Sequence, residues 1–176
     1  MKSFVLRTAT ADDADRVALL HADSWRRHYR GAYADAFLDS DDLAANRRHT
    51  WSSRLAAPTG TSTILAEDET GLAGFVHVVL DDDPCWGSLV DNLHVRDNLR
   101  RTGIGTTLLT EAARAVVTRA AGPAMYLWVL EQNTAAQAFY RSRGATQVER
   151  TLCRPAGIPV TGTPHKLRMS WPNATP

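Results

Sequence analysis

One segment limits the folds open to this chain more than any other. Residues 86–95 alternate in the manner of a strand, with Leu89, Asp91, Leu93 and Val95 on one face and Val90, Asn92 and His94 on the other. A basic turn follows and runs straight into an amphipathic helix. That turn reads Arg96-Asp97-Asn98-Leu99-Arg100-Arg101-Thr102-Gly103-Ile104-Gly105. Glycines that open a helix let a ligand approach backbone N–H groups that have no partner inside the helix. The helix dipole adds positive potential there, so the pattern describes an anion site best suited to phosphate. Arg96, Arg100 and Arg101 supply the matching sign. The dinucleotide pattern G-x-G-x-x-G fails at Leu108, and no Gly-Lys-Ser/Thr follows to make a P-loop.

The rest of the chain brackets this segment with alternating element types. Residues 4–7 read as a short strand. Thr10 is an N-cap with Asp12 and Asp13 in the first turn, and Ala14, Val17, Ala18, His21 and Trp25 form one apolar helical stripe. A second helical region covers residues 34–55, broken near Asp39-Ser40-Asp41. Residues 62–66 and 72–80 pair as a hairpin, and Asp81-Asp82-Asp83 reads as a solvated turn. Ile104, Leu108, Ala112 and Ala115, flanked by Leu109 and Val116, form the stripe of the next helix, which Gly122-Pro123 stops. Residues 124–130 are a strand, 134–143 a short helix closed by Gly144, and 145–152 and 165–171 two final strands. The order is β-α-α-β-β-β-α-β-α-β-β, a mixed α/β arrangement.

Composition sets outer limits. With 176 residues the chain has the size of one domain, and about 70% of its surface can be buried without a disulfide or metal. The formal charge of +1 lacks the basic excess of a nucleic-acid binder. No apolar run is long enough to span a bilayer, and residues 1–7 show no leader segment. Cys85 and Cys153 stand apart in no paired motif, as for reduced thiols in the cytoplasm. The six histidines show no metal-ligand spacing, so no metal is expected.

Three motifs together resemble the GNAT superfamily of acetyl-CoA-dependent acetyltransferases. Arg100-Arg101-Thr102-Gly103-Ile104-Gly105 is similar to the family's pyrophosphate loop. Asp91-Asn92-Leu93-His94-Val95 is similar to its fourth strand. Asn133-Thr134-Ala135-Ala136-Gln137-Ala138-Phe139-Tyr140-Arg141-Ser142-Arg143-Gly144 is similar to its Asn-x-x-Ala-x-x-Phe-Tyr-x-x-x-Gly segment. The motifs cover residues 86–148; the N-terminal half agrees in pattern only, and Gly144-Ala145 replaces the usual Gly-Phe. The resemblance implies the acyl-CoA N-acyltransferase fold, a centrally splayed sheet of about seven strands flanked by helices, as one domain over residues 1–176. It implies acetyl-CoA as co-substrate, held by Leu93, His94, Val95, Arg100, Arg101, Thr102, Gly103, Ile104, Gly105, Thr106, Asn133, Ala136 and Tyr140.

The chemistry such an enzyme performs assigns further roles. An amine acceptor is mostly protonated at neutral pH and must lose a proton, while the departing thiolate must gain one. Tyr140 matches the family's proton-donating tyrosine. Asp91 and Glu131 are the candidate bases, beside water alone. Asp91 shares its expected face with three apolar residues, which predicts burial and a raised pKa. His94 lies near the phosphate turn and reads as structural. The acceptor pocket implied by the resemblance involves Trp25, Tyr29, Tyr33 and Trp128, although an aromatic stripe at helical spacing also describes a core. No nucleophile motif is present, so direct transfer without an acyl-enzyme is expected. A small-molecule amine is the first acceptor class. A protein N-terminus or lysine is the second, and a non-catalytic acyl-CoA sensor is the third reading. The chain is expected to be a monomer or homodimer.

Overall fold

The computed structural model describes residues 4–174. Residues 1–3, on which part of the leader reading rests, lie outside the described residues. Strands β1 (Val5–Thr8), β2 (Thr61–Asp68), β3 (Gly71–Asp83), β4 (Gly87–Val95), β5 (Met125–Leu130), β6 (Thr146–Leu152) and β7 (His165–Trp171) form one mixed sheet. Their order is β1-β2-β3-β4-β5-β7-β6. The helices are α1 (Ala14–His28), α2 (Asp35–Leu38), α3 (Asp41–Ala56), α4 (Ile104–Arg119) and α5 (Thr134–Ser142). The expected element order and the seven strands are present. The break near Asp39 and Ser40 separates α2 from α3 as the sequence predicts.

Local signals account for the helix starts. Thr10 and Asp13 form a capping box ahead of α1, through a short 3-10 turn at Ala11–Asp13. Asp13 also receives Arg7 Nη2 at 2.7 Å, which ties β1 to the first turn. The α1 stripe is buried as read: Val17, Ala18, His21 and Trp25 all face inward. In α4 the buried set is Ile104, Leu108, Leu109, Ala112, Ala113 and Val116, so Ala113 takes the place expected of Ala115. The difference is one of phase, since residues 108, 112 and 116 define a slightly rotated stripe.

The helices cover both faces of the sheet. Helices α4 and α5 close one face over a core that includes Val76, Val90, Leu127 and Met169. Helices α1 and α3 close the other, with Trp51, Leu65 and Phe75 fully buried beneath them. A third cluster joins Trp25, Tyr33, Leu38 and Leu43 to Leu130 and Cys153.

Two expectations for the β3–β4 hairpin are corrected. Strand β3 runs through Asp81-Asp82-Asp83, and these residues are not simply a solvated turn. Asp81 accepts the Ala121 amide at 2.9 Å, Asp82 accepts the Tyr126 hydroxyl at 2.5 Å, and Asp83 accepts the amides of Cys85 and Trp86 at 2.8 and 3.1 Å. The acidic run binds the neighbouring turns to the sheet.

The second correction concerns β4. His77 pairs with Asn92 and Val78 with Val90, so Asp91 is an extra residue in the ladder, a β-bulge. One inserted residue exchanges the faces of everything beyond it. Val90 therefore shares a core with Leu93 and Val95, and not with Asn92 and His94 as simple alternation predicts. Asp91 is exposed, not buried.

The same region holds the break in the sheet. Strands β4 and β5 pair in parallel only at Ser88↔Met125 and Leu89↔Tyr126. Beyond those pairs they diverge, and the sheet is splayed at its centre.

Gly74 of β3 lets α4 sit close against the sheet. A Cβ there would lie 2.8 Å from the His94 carbonyl oxygen and 3.1 and 3.2 Å from Leu108 and Ile104. Gly74→Ala is expected to destabilise the fold by about 1–3 kcal/mol. A thermal melt checks this, and an unchanged midpoint would show that α4 is free to move outward.

Candidate active site

The splay opens a cleft of about 710 Å³ between β4, β5, α4 and α5. It brings together residues that are far apart in the chain. Asp91, Leu93, His94, Val95, Arg100, Arg101, Gly103, Gly105, Thr106, Asn133, Ala136 and Tyr140 all line it, with Tyr29 and Trp128. Past Leu89 the β5-facing backbone groups of β4 have no ladder partner, and they face open space across the cleft.

At one mouth stands the glycine turn. Gly103 is the N-cap of α4 with φ +94°, and Arg101 also has a positive φ of +63°. Both residues turn the backbone so that successive amides can converge on one point. The first amides of α4 have no carbonyl one turn back. Thr102 closes the turn from inside by donating its hydroxyl to the Leu99 carbonyl at 2.6 Å, and does not line the cleft. Ile104 is buried in the core beneath the turn, so only its backbone is available to a ligand. Two basic residues absent from the expected set, His28 and Arg143, also line the cleft.

Tyr140 lines the cleft wall and is 8% exposed. Burial pushes its phenol up to about 12, so the hydroxyl stays protonated at neutral pH. Asn133 caps α5, its side chain accepting the Ala136 amide at 3.2 Å. Capping thus accounts for its side chain, while its position lines the cleft.

The candidate bases separate clearly. Asp91 Oδ2 receives Arg54 Nη2 and Asn92 Nδ2, each at 2.7 Å. Both bonds end on one oxygen, so Oδ1 has no protein donor among the described residues. Glu131 does not line the cleft. It is clamped by Arg150 at 2.7 and 2.9 Å, and that guanidinium holds its carboxyl below the usual carboxylate range.

The aromatic stripe divides between pocket and core. Tyr29 lines the cleft, and its ring stacks on Trp25 at 5.1 Å and 19°. Trp25 and Tyr33 are buried at 6% and 5% exposure in the cluster behind it. Trp128 lines the cleft with Lys166 4.3 Å and Arg168 4.6 Å from its ring centre.

A polar cluster not anticipated from the sequence reaches the cleft through Ser24 and His94 and continues behind its wall. His94 Nδ1 shares a hydrogen bond with Ser24 Oγ at 2.7 Å, Trp51 Nε1 donates to His21 Nδ1 at 2.9 Å, and Thr63 Oγ1 meets His77 Nδ1 at 2.7 Å. Arg47 and Arg54 of α3 complete it. The sequence signal was present: Leu43, Arg47, Trp51 and Leu55 recur at every fourth residue, which puts an arginine in the buried stripe.

A sequence profile of the acetyltransferase (GNAT) family matches residues 21–145. The chain belongs to that family. It is 24% identical over 172 residues to the uncharacterized N-acetyltransferase YuaI of Bacillus subtilis, a match covering 96% of this chain and 92% of that protein. A shorter match, 38% identical over 98 residues, covers 55% of this chain and 34% of the mycothiol acetyltransferase of Segniliparus rotundus. Among solved structures, the PaiA N-acetyltransferase of Thermoplasma acidophilum in complex with coenzyme A superposes with a TM-score of 0.72. The two share 17% identity over 96% of this chain and 99% of that one. This member of the family is thus an acyltransferase with the acyl-CoA N-acyltransferase fold. Among the described residues, no helix is long and apolar enough to cross a membrane.

Burial holds His77 and His94 down at about 4. A histidine in the unfolded chain takes a proton near 6.5. Acidification from pH 6.5 toward 4 therefore protonates the unfolded state first, and stability falls across that window. Urea midpoints measured between pH 7 and 5 should decline steadily. A flat profile would contradict the neutral, buried state of these side chains.

Proposed function

We propose that the chain transfers an acetyl group from acetyl-CoA directly to a primary amine of a small molecule, and that residues 1–176 work as one such domain. The residues present suit coenzyme A. The amides of the Gly103 turn with Arg100, Arg101 and Arg143 match a pyrophosphate, and the unpaired edge of β4 matches the amides of the pantetheine arm. Bound there, acetyl-CoA supplies the activated acyl group. Tyr140 holds a proton at its phenolic oxygen for the departing sulfur. Asp91 Oδ1 accepts a proton from the acceptor, directly or through water. Tyr140 in the cleft wall favours an enzyme over a passive acyl-CoA sensor. The free thiols Cys85 and Cys153 fit a cytoplasmic setting.

One observation favours a small acceptor over a peptide. The loop between β6 and β7 is tied to the loop after α1: Ala34 N donates to Pro159 O at 3.0 Å, and Thr161 N to Ala32 O at 2.9 Å. Gln132 Nε2 donates to Arg30 O at 2.6 Å and holds the same loop to the end of β5. A peptide would need an open groove between these segments, and the hydrogen bonds close it.

The test is calorimetry with coenzyme A followed by turnover with an amine panel. Gly103→Asp adds a side chain at φ +94° and a carboxylate at the phosphate turn. It is expected to weaken coenzyme A binding by about 100-fold. Unchanged affinity would move the cofactor elsewhere. Tyr140→Phe is expected to lower kcat by about 100-fold while the Kd for coenzyme A holds. A rate equal to wild type would remove the phenol from the chemistry.

A further inference from the structure

We propose that the acceptor amine also carries an oxyanion, a carboxylate or a phosphonate, and that Arg47 and Arg54 of α3 select it. This rests on the acetyltransferase reading above and names the chemical class of its acceptor.

The charges on α3 do not balance. Arg47 is only 9% exposed, in the stripe that buries Trp51 and Leu55. Its Nε and Nη2 both lean on Asn46 Oδ1, a neutral amide on the same helix. Its guanidinium carbon stands 4.1 Å from the centre of the Trp25 ring. Among the described residues no carboxylate pairs with it. Burying a guanidinium without an anion is costly, and such an arrangement is stable when a ligand completes it.

Arg54 adds a second cation two helical turns away. Its Nη2 holds Asp91, while its Nη1 is buried without a hydrogen-bond partner. Two guanidinium groups thus share one carboxylate, a surplus of one positive charge. His21, between α1 and α3, registers that surplus, since Arg47 and Arg54 add to burial in holding its imidazole neutral.

The surplus lies just behind the cleft wall, since neither arginine lines the cleft itself. Asp91 and Tyr29 line the cleft, and Tyr29 stacks on the Trp25 ring that Arg47 covers. Asp91 Oδ1 therefore keeps an unused acceptor at the cleft, and the buried Arg54 Nη1 keeps an unused donor on the other partner of the same ion pair. That is the complement of a zwitterion, an ammonium beside an oxyanion. Uncompensated guanidinium charge this close to the cleft favours an oxyanion on the acceptor over a neutral amide.

The experiment measures thiol release from acetyl-CoA with the twenty common L-amino acids, their carboxamides, their decarboxylated amines and matched 1-aminoalkylphosphonates. Arg47→Met and Arg54→Met keep the stem over the tryptophan rings and remove the charge. The anionic acceptors should show kcat/KM at least tenfold above the carboxamides, and each variant should shrink that ratio, mainly through KM. The carboxylate and phosphonate arms identify the oxyanion. Carboxamides or simple amines used as well as the acids, with ratios unmoved by both variants, would overturn the proposal and leave the acetyltransferase standing. Calorimetry of the same compounds with the coenzyme A-bound protein separates the two readings. Arginine-dependent binding of the acids without turnover would support the oxyanion site and overturn the transferase reading instead.

Discussion

The ladder between β4 and β5 breaks after two pairs, and the functional architecture follows from that break. A sheet that continued would bury the β4 edge in hydrogen bonds and leave no passage through the molecule. The bulge at Asp91 makes the break productive. By adding one residue it turns Leu93 and Val95 into the α4 core and leaves Asp91 and His94 on the side of α1 and α3. The glycine turn begins where β4 ends, so its converging amides stand at one mouth of the gap. Tyr140 reaches the gap from α5, which the Asn133 cap starts just after β5 ends.

The two sides of this gap are electrostatically different. On the α4 side the protein offers backbone amides and exposed arginines, suited to a multiply charged ligand that arrives from solvent. On the α1–α3 side it buries neutral histidines and Arg47 in a low-dielectric cluster that Arg54 borders, where charges act strongly on one another. Gly74 lets α4 lie close to β3, and hydrogen bonds tie the 155–164 loop to residues 32–34 after α1.

Much of this was legible in the chain. Periodicity and turn residues located the helices and strands, although β5 is buried on both faces and β6 on neither. The glycine turn was legible because positive φ and close backbone approach restrict which residues can stand there. The face of Asp91 was not, since a bulge arises from pairing with a partner strand and leaves no periodic mark on its own strand. Arg47 was missed for a related reason. Arginine at a stripe position reads as an exposed residue until the helices on either side bury it. Glu131 looked competent because it follows β5, and only the fold brings Arg150 of β6 to occupy it. Trp25, Tyr29 and Tyr33 share a spacing, yet only Tyr29, the C-cap of α1, reaches the cleft, while Trp25 and Tyr33 pack into one buried cluster.

Coenzyme A should bind on the surface that the unpaired β4 edge and the Gly103 turn form together. Amide hydrogen exchange with and without coenzyme A tests it residue by residue. Protection should rise across residues 91–95 and 101–106 and leave the fully paired β2 strand unchanged. Protection confined to other segments, or none at saturating coenzyme A, would contradict the account.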